Sequence, residues 1–237
     1  MKYLTGILGG LFSLTHAAPD AYFQSKTVII PKDESIKKGG EDSADNTDGI
    51  LSVADGVGGW SLRGINSGVF SREVTKTVVD GWQQDKSLTA KELLLYGCNV
   101  ATQLHTGSST AVVLKLVDQM QLEAANLGDS GFALFRVQED NSMTMVYKSK
   151  PSQLAFNMPA QCGTGTGNYA DEVTMRHIAI EDFDIVVVYS DGFSDNVEDE
   201  QIPPCLQRYM KNGLVESLSS TADCLARKAH FLSKDPN

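Results

Sequence analysis

The sequence predicts an α+β domain with helices on the outside of antiparallel sheets. Three observations carry this. Short β-rich runs joined by tight turns fill the middle of the chain, two segments of helical periodicity precede them, and helical sequence follows them. With 237 residues, 41% apolar and 21% charged, the chain suits one domain around one substantial core and is too apolar for disorder.

In order, Thr27-Val28-Ile29-Ile30 predicts a short strand ended by Pro31, and Lys32 to Asp48 reads as a polar run. Ile50-Leu51-Ser52-Val53-Ala54 is a second strand that runs into Asp55-Gly56-Val57-Gly58-Gly59-Trp60, where the glycines turn the backbone sharply. Ser67 to Trp82 spaces Val69, Phe70, Val74, Val78 and Trp82 as a helix does, and Thr89 to Leu104 repeats the pattern. Thr89 with Glu92 three residues on is a capping-box signature. Strands are expected at Thr110–Val117, Gln121–Asn126, Gly131–Val137 and Ser142–Tyr147. Lys148 to Glu172, with two prolines and the Gly163-to-Gly167 run, reads as a long surface loop. Asp184 to Ser190 is an apolar strand buried on both faces. From Glu198 the chain is mostly helical, most clearly over Leu214–Leu232.

The net charge of -10 argues against non-specific nucleic-acid binding, since no basic stripe exists to neutralise phosphates. Cys98, Cys162, Cys205 and Cys224 are widely spaced and form no metal-binding spacing. They are expected to be separate thiols, with one disulfide possible if the chain is secreted. Residues 1–18 have a short positive start, an apolar stretch and a small-residue exit, which makes a secretory leader. That stretch is too short and glycine-rich for a membrane span.

Acidic turns sit at the ends of expected strands: Ala54-Asp55-Gly56, Gly128-Asp129-Ser130, and Ser190-Asp191-Gly192 with Asp195. Glu41-Asp42 precedes them. Carboxylates and carbonyls are the ligands hard divalent cations prefer, and a glycine after the aspartate leaves its carbonyl free to swing towards an ion. Each turn alone is weak evidence; their joint occurrence points to a metal centre.

These motifs are specific when taken together. Glu41-Asp42, Val53-Ala54-Asp55-Gly56-Val57-Gly58-Gly59-Trp60, Gly107-Ser108-Ser109-Thr110-Ala111, Ala125-Asn126-Leu127-Gly128-Asp129-Ser130-Gly131 and Ser190-Asp191-Gly192-Phe193-Ser194-Asp195-Asn196 resemble, in order, the motifs of the protein phosphatase 2C family. The Asp55-to-Trp60 form resembles its small branch, typified by mitochondrial members. The resemblance implies a four-layer α/β/β/α sandwich of two antiparallel sheets, with a dinuclear Mn²⁺ or Mg²⁺ site at one end. It further implies a phosphorylated protein as substrate and attack on phosphoserine or phosphothreonine by metal-bound hydroxide. By motif match, Asp55 bridges the ions, Gly56 offers its carbonyl, Asp191 holds the other ion, and Glu41 acts on the metals or their waters. Asp129 and Asp195, with Asp191, would hold a weaker third ion, and Asp42 stands behind the ligands. A monomer is expected, in the secretory pathway by the leader or in mitochondria by the resemblance.

Two departures accompany the match. Family members usually close with a strand carrying one more ligand aspartate, and this chain stops at Asn237 before such a strand. Many relatives also grip the phosphate with an arginine just before the Glu-Asp pair, where this chain has Lys37 and Lys38. The first departure keeps a catalytically weak phosphoprotein- or partner-binding relative as the alternative reading. His16, His105, His177 and His230 lie in no motif, so surface or core roles are expected. Trp60 is expected at either the cleft rim or the core.

Overall fold

The computed structural model describes residues 21–118, 120–155, 158–211 and 213–234. The leader-like residues 1–18 and His16 lie outside that range. The strands are β1 (Asp42–Asn46), β2 (Ile50–Gly56), β3 (Ser108–Asp118), β4 (Gln121–Leu127), β5 (Gly131–Val137), β6 (Met143–Lys148), β7 (Gln153–Ala155), β8 (Met158–Pro159), β9 (Cys162–Gly163), β10 (Thr174–Ala179), β11 (Ile185–Tyr189), β12 (Met210–Lys211) and β13 (Leu214–Val215). The helices are α1 (Ser67–Gln84), α2 (Ala90–Leu104), α3 (Asp191–Ser194), α4 (Pro203–Gln207) and α5 (Leu218–Leu232).

Strand alternation builds the layers. One sheet runs β1-β2-β3-β4-β10, with β9 added to β3; the other runs β11-β5-β6; the pairs are antiparallel. Ile50, Ala54, Ala111 and Val113 turn one way and pack beneath Phe70, Val74 and Val78 of α1 and Leu93, Leu94 and Cys98 of α2. Leu51, Val53, Val112 and Leu114 turn the other way and meet Phe132, Leu134, Val186 and Val188 of the second sheet. The opposite face of that sheet, through Ala133, Phe135, Ile185 and Val187, packs on α4 and α5. The result is helix, sheet, sheet, helix. Period-2 alternation in the strands and period-3.6 burial in the helices leave no other way to bury both faces of each sheet.

Capping fixes the outer helices. Asn66 Oδ1 accepts from Gly68 N at 3.1 Å to start α1, and Thr89 and Glu92 form the expected capping box on α2. The buried Glu123 carboxylate adds an acceptor at the same helix start, taking the Ala90 N–H at 2.6 Å.

Several expectations need correction. Thr27–Ile30 forms no strand, and its Val28 packs against the outer helical core. The polar run contains β1, whose strand state comes from pairing with β2. Lys148–Glu172 is not a plain surface loop. It holds the β7–β8 hairpin and β9, and buries Ala160 and Cys162 in the core beneath α1 and α2. The last helix starts at Leu218, capped by Ser217, because Leu214 and Val215 pair with Met210 and Lys211 instead. The cysteines are not separate thiols: Cys98 bonds Cys162, and Cys205 bonds Cys224.

Candidate metal centre

The acidic turns gather at one end of the two sheets. β1 and β2 place Asp42 directly opposite Asp55 in the register. Two like charges at facing strand positions repel, so something must hold them there. Asp191 follows the end of β11, and Asp129 sits in the β4–β5 turn. Asp195 N–H donates to the Asp191 carbonyl at 2.8 Å, which folds Asp195 back beside it through the single turn of α3.

The electrostatics show how close these groups are. The Asp55 carboxyl is held well above its ordinary value, first by burial and then by the charges of Asp42, Asp191 and Asp129. Asp42 is raised by burial and by Asp191, against the lowering effect of hydrogen bonds from Ser190 and Asp55 and of Lys32. Asp129 is raised by burial, Asp191 and Asp195; Asp195 by burial and Asp191. Asp55 therefore lies within electrostatic reach of Asp42, Asp191 and Asp129. Among the described residues no three acids, histidines or cysteines converge as finished ligands of one ion. Oxygen donors only and an excess of negative charge together fit a hard divalent cation.

Gly56 is required here by space. A Cβ on it would lie 2.6 Å from the Ser67 carbonyl oxygen and 2.9 Å from that of Glu41, whose oxygen accepts the Gly56 N–H at 3.0 Å. Ser109 Oγ donates to the Asp55 carbonyl at 2.8 Å and ties the end of β2 to the start of β3. Gly128, at φ +95°, makes the turn before Asp129, where a Cβ would meet Thr110 and the Ala160 carbonyl.

The structure therefore brings Asp55, Asp191, Asp129 and Asp195 together, with Gly56 beside them. Glu41 places its carboxylate against Gly58, two residues past Gly56. Asp42, expected only behind the ligands, is in the cluster itself. Alternation decides this, because Asp42 and Ala44 face the second sheet while Ser43 turns to Thr75 on α1. The cation beside the acids is Lys32, which lowers both Asp42 and Asp195, and not Lys37 or Lys38 at the end of a 3-10 turn. His105 sits 3.5 Å from Glu73 and His177 3.8 Å from Glu123, away from the acids. Trp60 belongs to the rim, half-buried, with its indole N–H donating to Ser108 Oγ at 2.7 Å.

The sandwich with an acidic centre at the sheet ends defines a fold class, and comparison with known proteins narrows it. No family model matches the chain. It is 33% identical over 214 residues to the probable protein phosphatase 2C 71 of Oryza sativa subsp. japonica, covering 89% of this chain and 44% of that one. It is 31% identical over 197 residues to the protein phosphatase PTC7 homolog of Danio rerio, covering 79% and 66%. The structure of the photosystem II phosphatase PBCP superposes with a TM-score of 0.75 at 25% identity, covering 86% of this chain and 78% of that one. The catalytic domain of the serine/threonine phosphatase PstP, in complex with two manganese ions, shares the fold with a TM-score of 0.62 at 18% identity, covering 94% and 90%. The chain belongs to the protein phosphatase 2C family. It spans less than half the length of the rice relative.

Proposed function

We propose that this chain is a protein serine/threonine phosphatase that depends on Mn²⁺ or Mg²⁺. The observation that carries the reading is Asp42 facing Asp55 across β1 and β2, with Asp191 beside them, at the sheet ends of a protein phosphatase 2C fold. When bound, a divalent-cation pair supplies a water of lowered pKa and charge to orient a phosphoryl group. Asp55 and Asp191 are the residues to hold that pair, with the Gly56 carbonyl beside them and Asp42 sharing the site. In this reading Asp129 and Asp195 would hold a weaker third ion, and Glu41 would contact metal-bound water.

The chain's own residues do the rest. Asp42 and Asp55 are half-buried, and the tie from Ser109 to the Asp55 carbonyl fixes the ligand-bearing strand end. Lys32 offers a point charge near the acids, suited to a phosphate oxygen. Among the described residues no helix is long and apolar enough to cross a membrane. The two disulfides, Cys98–Cys162 and Cys205–Cys224, support maturation in an oxidising compartment, as the leader-like first residues do.

The test measures p-nitrophenyl phosphate and phosphopeptide hydrolysis with Mn²⁺, for the wild type and for Asp55→Asn and Asp191→Asn. Both variants should fall to background and lose Mn²⁺ binding by calorimetry. Turnover equal to wild type in both would overturn the reading, and Mn²⁺ binding without turnover in the wild type would favour a binding protein.

A further inference from the structure

Beside the acidic centre lies a second feature that the chemistry above does not use. A cavity of about 390 Å³ borders Asp42 on one side, but the larger one, about 530 Å³, opens on the other, starting at Val57 one residue past Gly56. Its walls are Trp60 and Arg63 on the turn after β2, and Leu154 and Met158 on the β7–β8 hairpin. Its floor carries Ser108 and Gln161.

This groove is held rigidly from both sides of the acidic centre. The Trp60 indole donates to Ser108 Oγ, which donates to Gln161 Oε1 at 2.6 Å. Next to Gln161, the Cys98–Cys162 disulfide fastens the floor to α2. The hairpin base is tied by Ala160 N to the Ser152 carbonyl at 2.9 Å and by Ser152 N to the Gly128 carbonyl at 2.8 Å, one residue from Asp129. The groove thus starts beside the Asp55–Gly56 turn, and the hairpin that forms its other wall is tied at its base to the Gly128–Asp129 turn.

Its chemistry is unlike the rest of the surface. Leu154 is 53% exposed and Met158 51%, an apolar wall facing solvent without cover among the described residues. Arg63 is the charged residue of the lining, stacked over the Trp60 ring at 5.3 Å, in a chain of net charge -10. A guanidinium fixed on an indole keeps its outer donors free for a carboxylate.

We propose that this groove binds the polypeptide flanking the phosphorylated residue, and that Arg63 with Leu154 and Met158 selects substrates bearing an acidic and an apolar side chain there. The inference rests on the phosphatase reading for the word substrate, but the groove itself is testable without turnover. Because the groove starts at Val57, one residue past Gly56, the positions to test are those immediately flanking the phosphoresidue.

The test uses phosphothreonine peptides with leucine kept on one side and aspartate or lysine walked through those positions. In the wild type, kcat/KM should favour the aspartate peptide by about three- to fivefold, as expected for a partly exposed charge pair. Arg63→Glu should reverse that preference, whereas Lys76→Glu, the same charge change on the far face of α1, should keep it. Leu154→Ser with Met158→Ser should raise the peptide KM with little change in kcat. If the proteins hydrolyse p-nitrophenyl phosphate but Arg63→Glu keeps the wild-type preference, the groove proposal fails and the phosphatase reading stands. If nothing is hydrolysed, fluorescence anisotropy of the same peptides with Mn²⁺ decides: equal affinity for aspartate and lysine peptides overturns the groove, and a preference lost in Arg63→Glu supports it.

Discussion

Asp42 and Asp55 face each other across β1 and β2, and their carboxyls keep protons that the unfolded chain would release near its ordinary value of 3.8. In cation-free protein the native state therefore binds more protons than the unfolded state at every pH between 3.8 and the raised native values. The sign follows: these groups favour the fold at the acid end of that window, and the benefit is lost as pH rises through the native values. Urea midpoints of the cation-free protein should fall as pH rises from about 4 towards neutrality, in the direction linkage requires. Millimolar Mn²⁺ should abolish that slope, because the cation takes the place of the protons. Asp55→Asn, carrying no charge to neutralise, should be more stable than the wild type at pH 7 without cation. A wild-type midpoint that instead climbs with pH would refute the raised carboxyls at the site.

At the scale of elements, the site depends on three backbone segments meeting without side chains between them. Gly56 at the end of β2 approaches the Ser67 carbonyl, and Gly68 in the first turn of α1 approaches the Gly40 carbonyl, leading into Glu41 and Asp42. A Cβ on Gly68 would collide with that carbonyl oxygen. Helix propensity and packing make opposite predictions for Gly68→Ala. Propensity alone favours alanine by about 1 kcal/mol, whereas overpacking costs about 1–3 kcal/mol. Backbone cannot step aside as a flexible side chain can, so packing should win: the variant should lose stability in urea and bind Mn²⁺ more weakly. A midpoint equal to or above the wild type's would show that the approach of α1 to the Gly39–Gly40 turn is slack. The same contacts explain what the sequence could and could not convey. Helices α1 and α2 and strands β2 and β11 were legible because their apolar periodicity is local. β1 was not, since Asp42–Asn46 is almost wholly polar and becomes a strand only by pairing with β2. β9, two residues long, owes its state to register with Ser108 and Ser109. That Asp42 is the register partner of Asp55 was out of reach for the same reason: which of two adjacent acids lies opposite a given residue is set by register, and a shift of one residue swaps them.

Across the whole molecule, each outer helical layer carries one covalent tie. Cys98 on α2 is joined to Cys162 on β9, 64 residues on; Cys205 on α4 is joined to Cys224 on α5, 19 residues on. No spacing rule pairs such distant cysteines; burial of Cys98 and Cys162 in the same core does. Closing loops of these lengths in the unfolded chain corresponds to about 4 and about 3 kcal/mol in the chain-entropy account. Total stability of a domain is roughly 5–15 kcal/mol, so the two ties together decide whether the reduced fold survives. The purified protein should give two disulfide-linked peptide pairs in a non-reducing map and no thiol that reacts with maleimide under denaturing conditions. A strong phosphine reductant should lower the urea midpoint, and Cys98→Ala with Cys162→Ala should cost more than Cys205→Ala with Cys224→Ala, because it frees the longer loop. The first pair also anchors the floor of the groove beside Gln161, so its loss should weaken peptide selection as well as stability, whereas loss of the second should affect stability alone. Four maleimide-reactive thiols in the native protein from an oxidising host would remove both the ties and the oxidising-compartment reading that rests on them.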